Sequence, residues 1–247
     1  MHYDEAQLVT RRWLVEAGVG PGQRVLDLGT GTGSVAALLL DLVGPEGEVV
    51  GLDRHGPFVA MARERLAGRS YHVRDVDLDG PLPDDLGMFD VIVERRVLMY
   101  LRDPAATLAR ALRHLRPGGL VLCQGFVLDE APTALPLHDT VRDWMVRMLA
   151  FESASWTFGR QLPTVFRDAG LPPPVMRAEV DVASSGQPDS LAERIRFVLP
   201  RLVEAGIPAE VIDLDTLSAR LSAERAQVGQ AWLADVAVVA WARSPAA

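Results

Sequence analysis

The chain has 247 residues, 49% of them hydrophobic, with a formal net charge of −8 and a pI near 5.2. That length fits one α/β domain with insertions, and the acidic balance speaks against a nucleic-acid-binding surface. Cys123 is the only cysteine and all 25 basic residues are arginine, which excludes an intrachain disulfide, a multi-cysteine zinc site, a P-loop lysine and a Schiff-base lysine.

The opening Met1-His2-Tyr3-Asp4-Glu5 lacks a basic region and an apolar segment, so no signal peptide is expected. No apolar run is long enough to span a bilayer, and the expected location is the cytoplasm. Ala6 to Ala17 reads as a helix, with Leu8, Val9, Trp13 and Leu14 at helical spacing, and Gly18 to Gly22 breaks it. Arg24 to Leu28 is the first strand, Val35 to Leu42 a helix, Val49 to Asp53 the second strand and Pro57 to Leu66 a short helix. Tyr71 to Arg74 is the third strand, ending at Asp75, and a turn-rich stretch from Asp77 to Gly87 follows. The apolar run Phe89 to Val93 is a buried fourth strand. Ala105 to Leu115 is a helix between Asp103-Pro104 and Pro117-Gly118-Gly119, and Leu120 to Cys123 is the fifth strand.

In the second half, Leu137 to Phe151 is an amphipathic helix with Leu137, Val141, Trp144, Met145, Met148 and Leu149 on one face. Phe158 to Ala169 is another helix, Val175 to Val182 a sixth strand, and Leu191 to Ala205 and Thr216 to Trp232 two more helices. Leu233 to Ala242 is a final apolar strand broken only by Asp235. This order predicts an α/β fold, a doubly wound, seven-stranded, mostly parallel sheet, in a single domain of residues 1–247. Helical insertions are expected at 126–158 and 184–230, after strands 5 and 6, forming a substrate cap, and residues 1–20 are expected as a helical lid.

The stretch Val25-Leu26-Asp27-Leu28-Gly29-Thr30-Gly31-Thr32-Gly33-Ser34 carries the chemistry. A strand enters a G-x-G-x-G turn, and Asp53 stands twenty residues after Gly33 at the end of the next strand. Glycines let backbone approach a ligand closely, and an acid at that place accepts hydrogen bonds from ribose hydroxyls. Asp27, two residues before the first glycine, is unsuited to a pyrophosphate and suited to a ligand bearing an ammonium and a sulfonium.

This motif resembles that of class I S-adenosylmethionine-dependent methyltransferases, of the ubiquinone-biosynthesis type and their natural-product tailoring relatives. Phe89-Asp90-Val91-Ile92-Val93, Val97 to Pro104 and Leu115-Arg116-Pro117-Gly118-Gly119 continue the resemblance over the first half. It implies a Rossmann-like methyltransferase fold, S-adenosylmethionine as cofactor, S-adenosylhomocysteine as product, and methyl transfer to an O, N or C nucleophile of a small molecule. It implies a methionine pocket shaped by Asp27, Gly29, Thr30, Gly31 and Gly33, and a ribose held at Asp53 and Arg54. Asp75, or else Asp77 two residues on, and the amide of Val76 would read adenine, with Arg-Asp here where the family has Gly-Asp. Glu94 and Arg95 would sit beside the reacting centre. The same fold also hosts cyclases, decarboxylases and rearrangement catalysts, which the glycine motif does not distinguish. A nicotinamide reductase is disfavoured by Asp27 and the glycine spacing.

His138, beside Asp139, is read either as a general base facing the cleft or as an exposed helix-start histidine. Tyr100 either lines the methyl channel or packs in the core. His2 and Tyr3 either fold over the cofactor or belong to a free terminus. Trp144, Met148, Trp156 and Phe158, with Met145 and Phe151, either form a lid over a hydrophobic acceptor or pack on the sheet. Arg160, Arg194 and Arg196 meet an acidic acceptor or are solvated. No metal site emerges. The expected partner is a small-molecule substrate, with no nucleic acid and no membrane, and the chain is a monomer or homodimer.

Overall fold

A computed structural model describes residues 3–128, 133–183 and 190–246. After α1 (Tyr3–Ala17) the chain alternates through β1 (Arg24–Leu28), α2 (Ser34–Val43), β2 (Glu48–Asp53), α3 (Gly56–Arg65), β3 (Tyr71–Asp75), β4 (Phe89–Arg95), α4 (Pro104–Leu112) and β5 (Leu115–Val127). Then come α5 (Pro136–Phe151), α6 (Leu162–Asp168), β6 (Val175–Ala183), α7 (Ser190–Glu204), α8 (Ala209–Ile212), α9 (Leu214–Val228) and β7 (Trp232–Arg243). The strands make one sheet of seven, ordered β3-β2-β1-β4-β5-β7-β6. β7 runs antiparallel to β5 and β6, and the other pairings are parallel. This is the expected doubly wound, Rossmann-like sheet, and its order reverses between β1 and β4.

The two-residue period of a strand sorts the core into two layers. Val25, Val91, Val93, Leu120 and Leu122 face the layer of α1 and α2, while Leu26, Leu28, Ile92, Val121 and Cys123 face the opposite layer. Both faces of the central strands are therefore covered, which is why they read as unbroken apolar runs. The helices α5, α7 and α9 extend the second layer, contributing Val141, Met148, Ile195, Leu202, Leu217 and Leu221.

Three expectations shift. The α1 helix is not a lid: Val9, Trp13, Leu14 and Ala17 are buried against the sheet, and Thr10 donates to Gln124 of β5 at 3.1 Å. His2 lies outside the described residues, as does the Tyr3 side chain. β5 begins at Leu115 because that residue pairs with Phe89 across a register shift, ending α4 earlier than periodicity suggests. The expected helix from Phe158 splits into a 3-10 turn (Phe158–Arg160) and α6. Gly159 lies so close to the sheet that a Cβ would stand 2.8 Å from Val238, and the helix restarts at Leu162-Pro163.

Helix α4 follows β4 after an intervening 3-10 turn (Leu98–Tyr100). Asp103 caps it, accepting from the Ala106 amide at 2.9 Å, with Pro104 in the first turn. The variant Asp103→Ala should lose about 1 kcal/mol of stability, read from urea midpoints; an unchanged midpoint would refute the cap's contribution.

Candidate active site

The glycine turn after β1 is shaped by left-handed backbone. Gly29, Gly31 and Gly33 have φ of 69°, 53° and 77°, a region that L side chains rarely adopt. Gly29 also has no room, since a Cβ would lie 2.3 Å from Val97. Gly31 is the reverse case: nothing lies within 4 Å of its would-be Cβ, so this backbone faces open space. The amides of Gly29 and Thr30 both donate to the Leu52 carbonyl, at 2.7 and 3.0 Å, tying the turn to β2.

Two carboxylates sit under this turn, at the carboxyl ends of β1 and β4. Asp27 is only 1% exposed, and its Oδ2 has no hydrogen-bond partner among the described residues. Burial pushes its pKa up to about 7; the Thr30 hydroxyl pulls it down, the Asp53 charge pushes it up and Arg95 lowers it. Thr30 is itself buried and shares its hydroxyl with Tyr71 at 3.0 Å, so it positions Asp27 rather than facing a ligand. Glu94 is fully buried and also raised to about 7, by burial first, with Asp27 adding to the rise. One of its oxygens accepts from the amides of Val97 and Leu98, at 3.2 and 3.3 Å, so it caps the turn after β4. Its other oxygen is buried and, like Asp27 Oδ2, has no hydrogen-bond partner among the described residues.

Asp53 is half-buried at the end of β2. It accepts from the amides of Gly31 at 2.8 Å and His55 at 2.9 Å, one on each oxygen, which leaves each oxygen further acceptor capacity. Asp75 ends β3 with an exposed side chain. The Val76 amide donates to the Asp53 carbonyl at 3.0 Å, so the adenine contact expected of that amide is corrected: the sheet has already used it. Arg54 is exposed and pairs with Asp77 at 3.5 Å.

His138 is not a cleft-facing base. It is fully buried; Nδ1 meets Glu224 of α9 at 2.7 Å and Nε2 meets an Arg225 Nη at 3.0 Å. Since arginine only donates, Nε2 is the acceptor and Nδ1 carries the proton to Glu224. Burial lowers the histidine's pKa although Glu224 raises it, consistent with a neutral ring. Trp232 packs on that ring at 5.0 Å. The Tyr100 hydroxyl accepts from Arg201 of α7 at 3.0 Å, and Arg201 pairs with Glu152 after α5. Trp144, Met148 and Phe158 are buried in the second core layer, and Trp156 is partly buried against it. The bland reading of packed side chains therefore holds for the first three.

One cluster escaped the sequence reading as a unit. Arg96, the first residue past β4, has a left-handed φ of 58°, a conformation that costs a non-glycine residue about 1–2 kcal/mol. Its amide donates to the Gln124 carbonyl at 2.7 Å, which holds it there. Its guanidinium lies 5.0 Å from the Phe126 ring and 3.0 Å from Asp235, which also binds Arg194 of α7. Arg194 is thus not solvated surface, whereas Arg160 and Arg196 are exposed. The signals available were the adjacent Arg95-Arg96 after an apolar strand and a lone Asp235 inside another. Gly51 and Tyr71, which wall Thr30 in, were also missed; a glycine inside a strand was the clue. Among the described residues, no three His, Cys, Asp or Glu side chains group as a metal site, and no helix is long and apolar enough to cross a membrane.

A family model described as a methyltransferase domain matches residues 26–121. The chain is 31% identical over 193 residues to an uncharacterized 37.1 kDa protein in transposon TN4556 of Streptomyces fradiae, covering 76% of this chain and 55% of that one. It is 35% identical over 136 residues to the ubiquinone/menaquinone biosynthesis C-methyltransferase UbiE of Ectopseudomonas mendocina, covering 53% and 52%. The chain thus spans about half the length of the curated relatives it matches. Among solved structures, the YcgJ protein of Bacillus subtilis superposes with a TM-score of 0.61 at 16% identity, covering 99% of this chain and 100% of that one. The [4+2]-cyclase SpnF superposes at 0.55 and 21% identity, covering 97% and 82%.

The raised carboxyls of Asp27 and Glu94 make stability depend on pH. Their folded pKa values of about 7 exceed the ordinary 3.8 and 4.5, so the folded chain holds protons that the unfolded chain releases. The stabilisation is full below pH ~4 and is lost as pH rises through ~7. Replacing Asp27 by Asn should flatten that decline by on the order of 3 kcal/mol between pH 5 and 8. Urea midpoints of both proteins at the two pH values check this; parallel pH dependence would show that Asp27 does not titrate there.

Proposed function

We propose, from the premise that residues 26–121 are a class I S-adenosylmethionine-dependent methyltransferase domain, that this protein transfers the methyl group of S-adenosylmethionine to a small molecule. The observation that carries it is Asp27, a nearly dry carboxylate with an oxygen awaiting a donor beneath the open backbone of Gly31. Such an oxygen fits the ammonium of a methionine moiety, and Asp53 has acceptor capacity for two ribose hydroxyls. Bound S-adenosylmethionine supplies an electrophilic methyl on a sulfonium.

The chain's own part is alignment and exclusion of water. Gly31 lets backbone approach the cofactor while Gly29 makes room for Val97 beneath it, and Asp75 at the β3 edge accepts from the adenine amine. Glu94 holds the turn that carries Arg95 to Tyr100. The clasps Arg201–Glu152–Tyr100 and His138–Glu224–Arg225 fix α5, α7 and α9 as a cap over the acceptor side. A cap of this kind and a net charge of −8 favour a small, metabolite-sized acceptor over a nucleic acid. The acceptor's nucleophile is oxygen, nitrogen or carbon.

A second reading, a cofactor-binding cyclase, has the structural likeness to SpnF behind it. The two are separated by incubating the protein with methyl-labelled S-adenosylmethionine and phenolic, amine and enol acceptors. Label should move to an acceptor with one S-adenosylhomocysteine formed per product; tight cofactor binding without label transfer would favour the second reading. For the site itself, Asp53→Ala should weaken S-adenosylhomocysteine binding by roughly 2–3 kcal/mol in calorimetric titration, through loss of charge-assisted hydrogen bonds. Equal affinity in a folded variant would overturn the ribose assignment.

A further inference from the structure

We propose that the acceptor carries a carboxylate, held by Arg96 and Arg194 at the sheet edge beyond β4, β5 and β7. This rests on reading that edge as the methyl-transfer site and adds the acceptor's chemical class.

Position comes first. The sheet order reverses between β1 and β4, and ligands of open α/β sheets bind across such a reversal, at the carboxyl ends of the strands. Asp27 and Asp53 mark the cofactor half, on β1 and β2. Arg96 emerges at the same edge on the other half. Asp235 lies in the opening residues of antiparallel β7, next to Val236, which pairs with Val127 at the carboxyl end of β5. Arg194 reaches Asp235 from α7, which covers that edge. The two guanidiniums therefore stand where an acceptor beside the cofactor would be held.

Charge comes second. Among the described residues two guanidiniums share one carboxylate, leaving one positive charge that Asp235 does not offset. The Arg96 side chain is 35% exposed and that of Arg194 only 22%. Burial lowers both pKa values, that of Arg194 to about 10, with the Arg96 charge adding to its fall. Among the described residues, Nε of each arginine is buried without a hydrogen-bond acceptor. The described residues thus leave the pair short of acceptors, and a monoanion completes it, whereas a neutral acceptor leaves the charge uncompensated. A planar carboxylate matches the guanidinium fork.

Rigidity comes third. Asp235 needs only one arginine for its own neutralisation. The second guanidinium, Arg96, is held on a left-handed residue, fixed by the Gln124 carbonyl and backed by Phe126. A side chain so constrained is preorganised for a ligand.

The test uses the full chain saturated with S-adenosylhomocysteine, titrated calorimetrically with 4-hydroxybenzoate and with its uncharged isostere 4-hydroxybenzamide. Wild type should bind the carboxylate about tenfold more tightly than the amide, and Arg194→Gln should abolish that preference. Asp235 keeps Arg96 as its partner in this variant, so no buried charge is orphaned; its melting temperature, read alongside, separates lost recognition from lost structure. If it melts early, Arg194→Lys carries the test, keeping the charge without the fork and giving a reduced preference. Equal binding of the two probes, binding of neither, or a preference that survives Arg194→Gln overturns the proposal. Cofactor affinity is measured first. Failure of S-adenosylhomocysteine to bind overturns the methyl-transfer reading and the acceptor assignment with it, whereas intact cofactor binding without a carboxylate preference overturns the receptor alone.

Discussion

A carboxylate kept nearly dry at the end of a central strand is an expensive thing to build, and the surroundings of Asp27 are organised around it. Its charged form loses hydration on burial, so its pKa rises to about 7. The fold retains it by stacking small and fixed groups around it. The backbone of Gly29 passes where no side chain fits, the Thr30 hydroxyl bonds it, and Gly51 leaves room for Tyr71 to hold Thr30 in place. Each of these is a packing constraint that only a small set of residues meets. Together they leave one carboxylate oxygen without a hydrogen-bond partner among the described residues.

The sheet then divides its labour at its point of reversal. The β1–β2–β3 half carries the glycine turn, with Asp53 bonded to two amides so that its orientation is set in advance. The β4–β5–β7 half presents side chains of opposite character: Arg96 and Arg194 around Asp235, roofed by the helices inserted between β6 and β7. Anion-seeking groups on one side and cation-seeking groups on the other suit two ligands that meet between them.

The inserted helices are held by polar clasps, one buried and one half-exposed, as well as by apolar packing. His138, Glu224 and Arg225 join α5 to α9, while Arg201 joins α7 to Glu152 and Tyr100. A greasy interface alone tolerates sliding; a buried network with directional partners does so far less, because a shifted helix strands a polar group in a dry place. Both side chains first read as candidates for catalysis, His138 and Tyr100, serve as such pins. Titratable residue type and proximity to a cleft-forming segment look alike in sequence for either role.

The alternation of strands and helices, the reversal implied by it, and the cofactor turn were legible in the sequence, because they are local. Apolar periodicity, glycine spacing and an acid at a strand end depend on neighbours within a few residues, and backbone geometry enforces them wherever the strand goes. What only the tertiary structure decided is which donors and acceptors were already spent. Val76 lends its amide to β3–β2 pairing, Glu94 spends an oxygen on its own turn, and His138 is locked to a helix more than eighty residues away. The guanidinium pair was illegible for the same reason: Arg96, Arg194 and Asp235 are brought together only when β7 inserts beside β5 and α7 folds over the edge. Hydrogen-bond partners at long sequence separation carry no local period, so the sequence named the residues but not their availability.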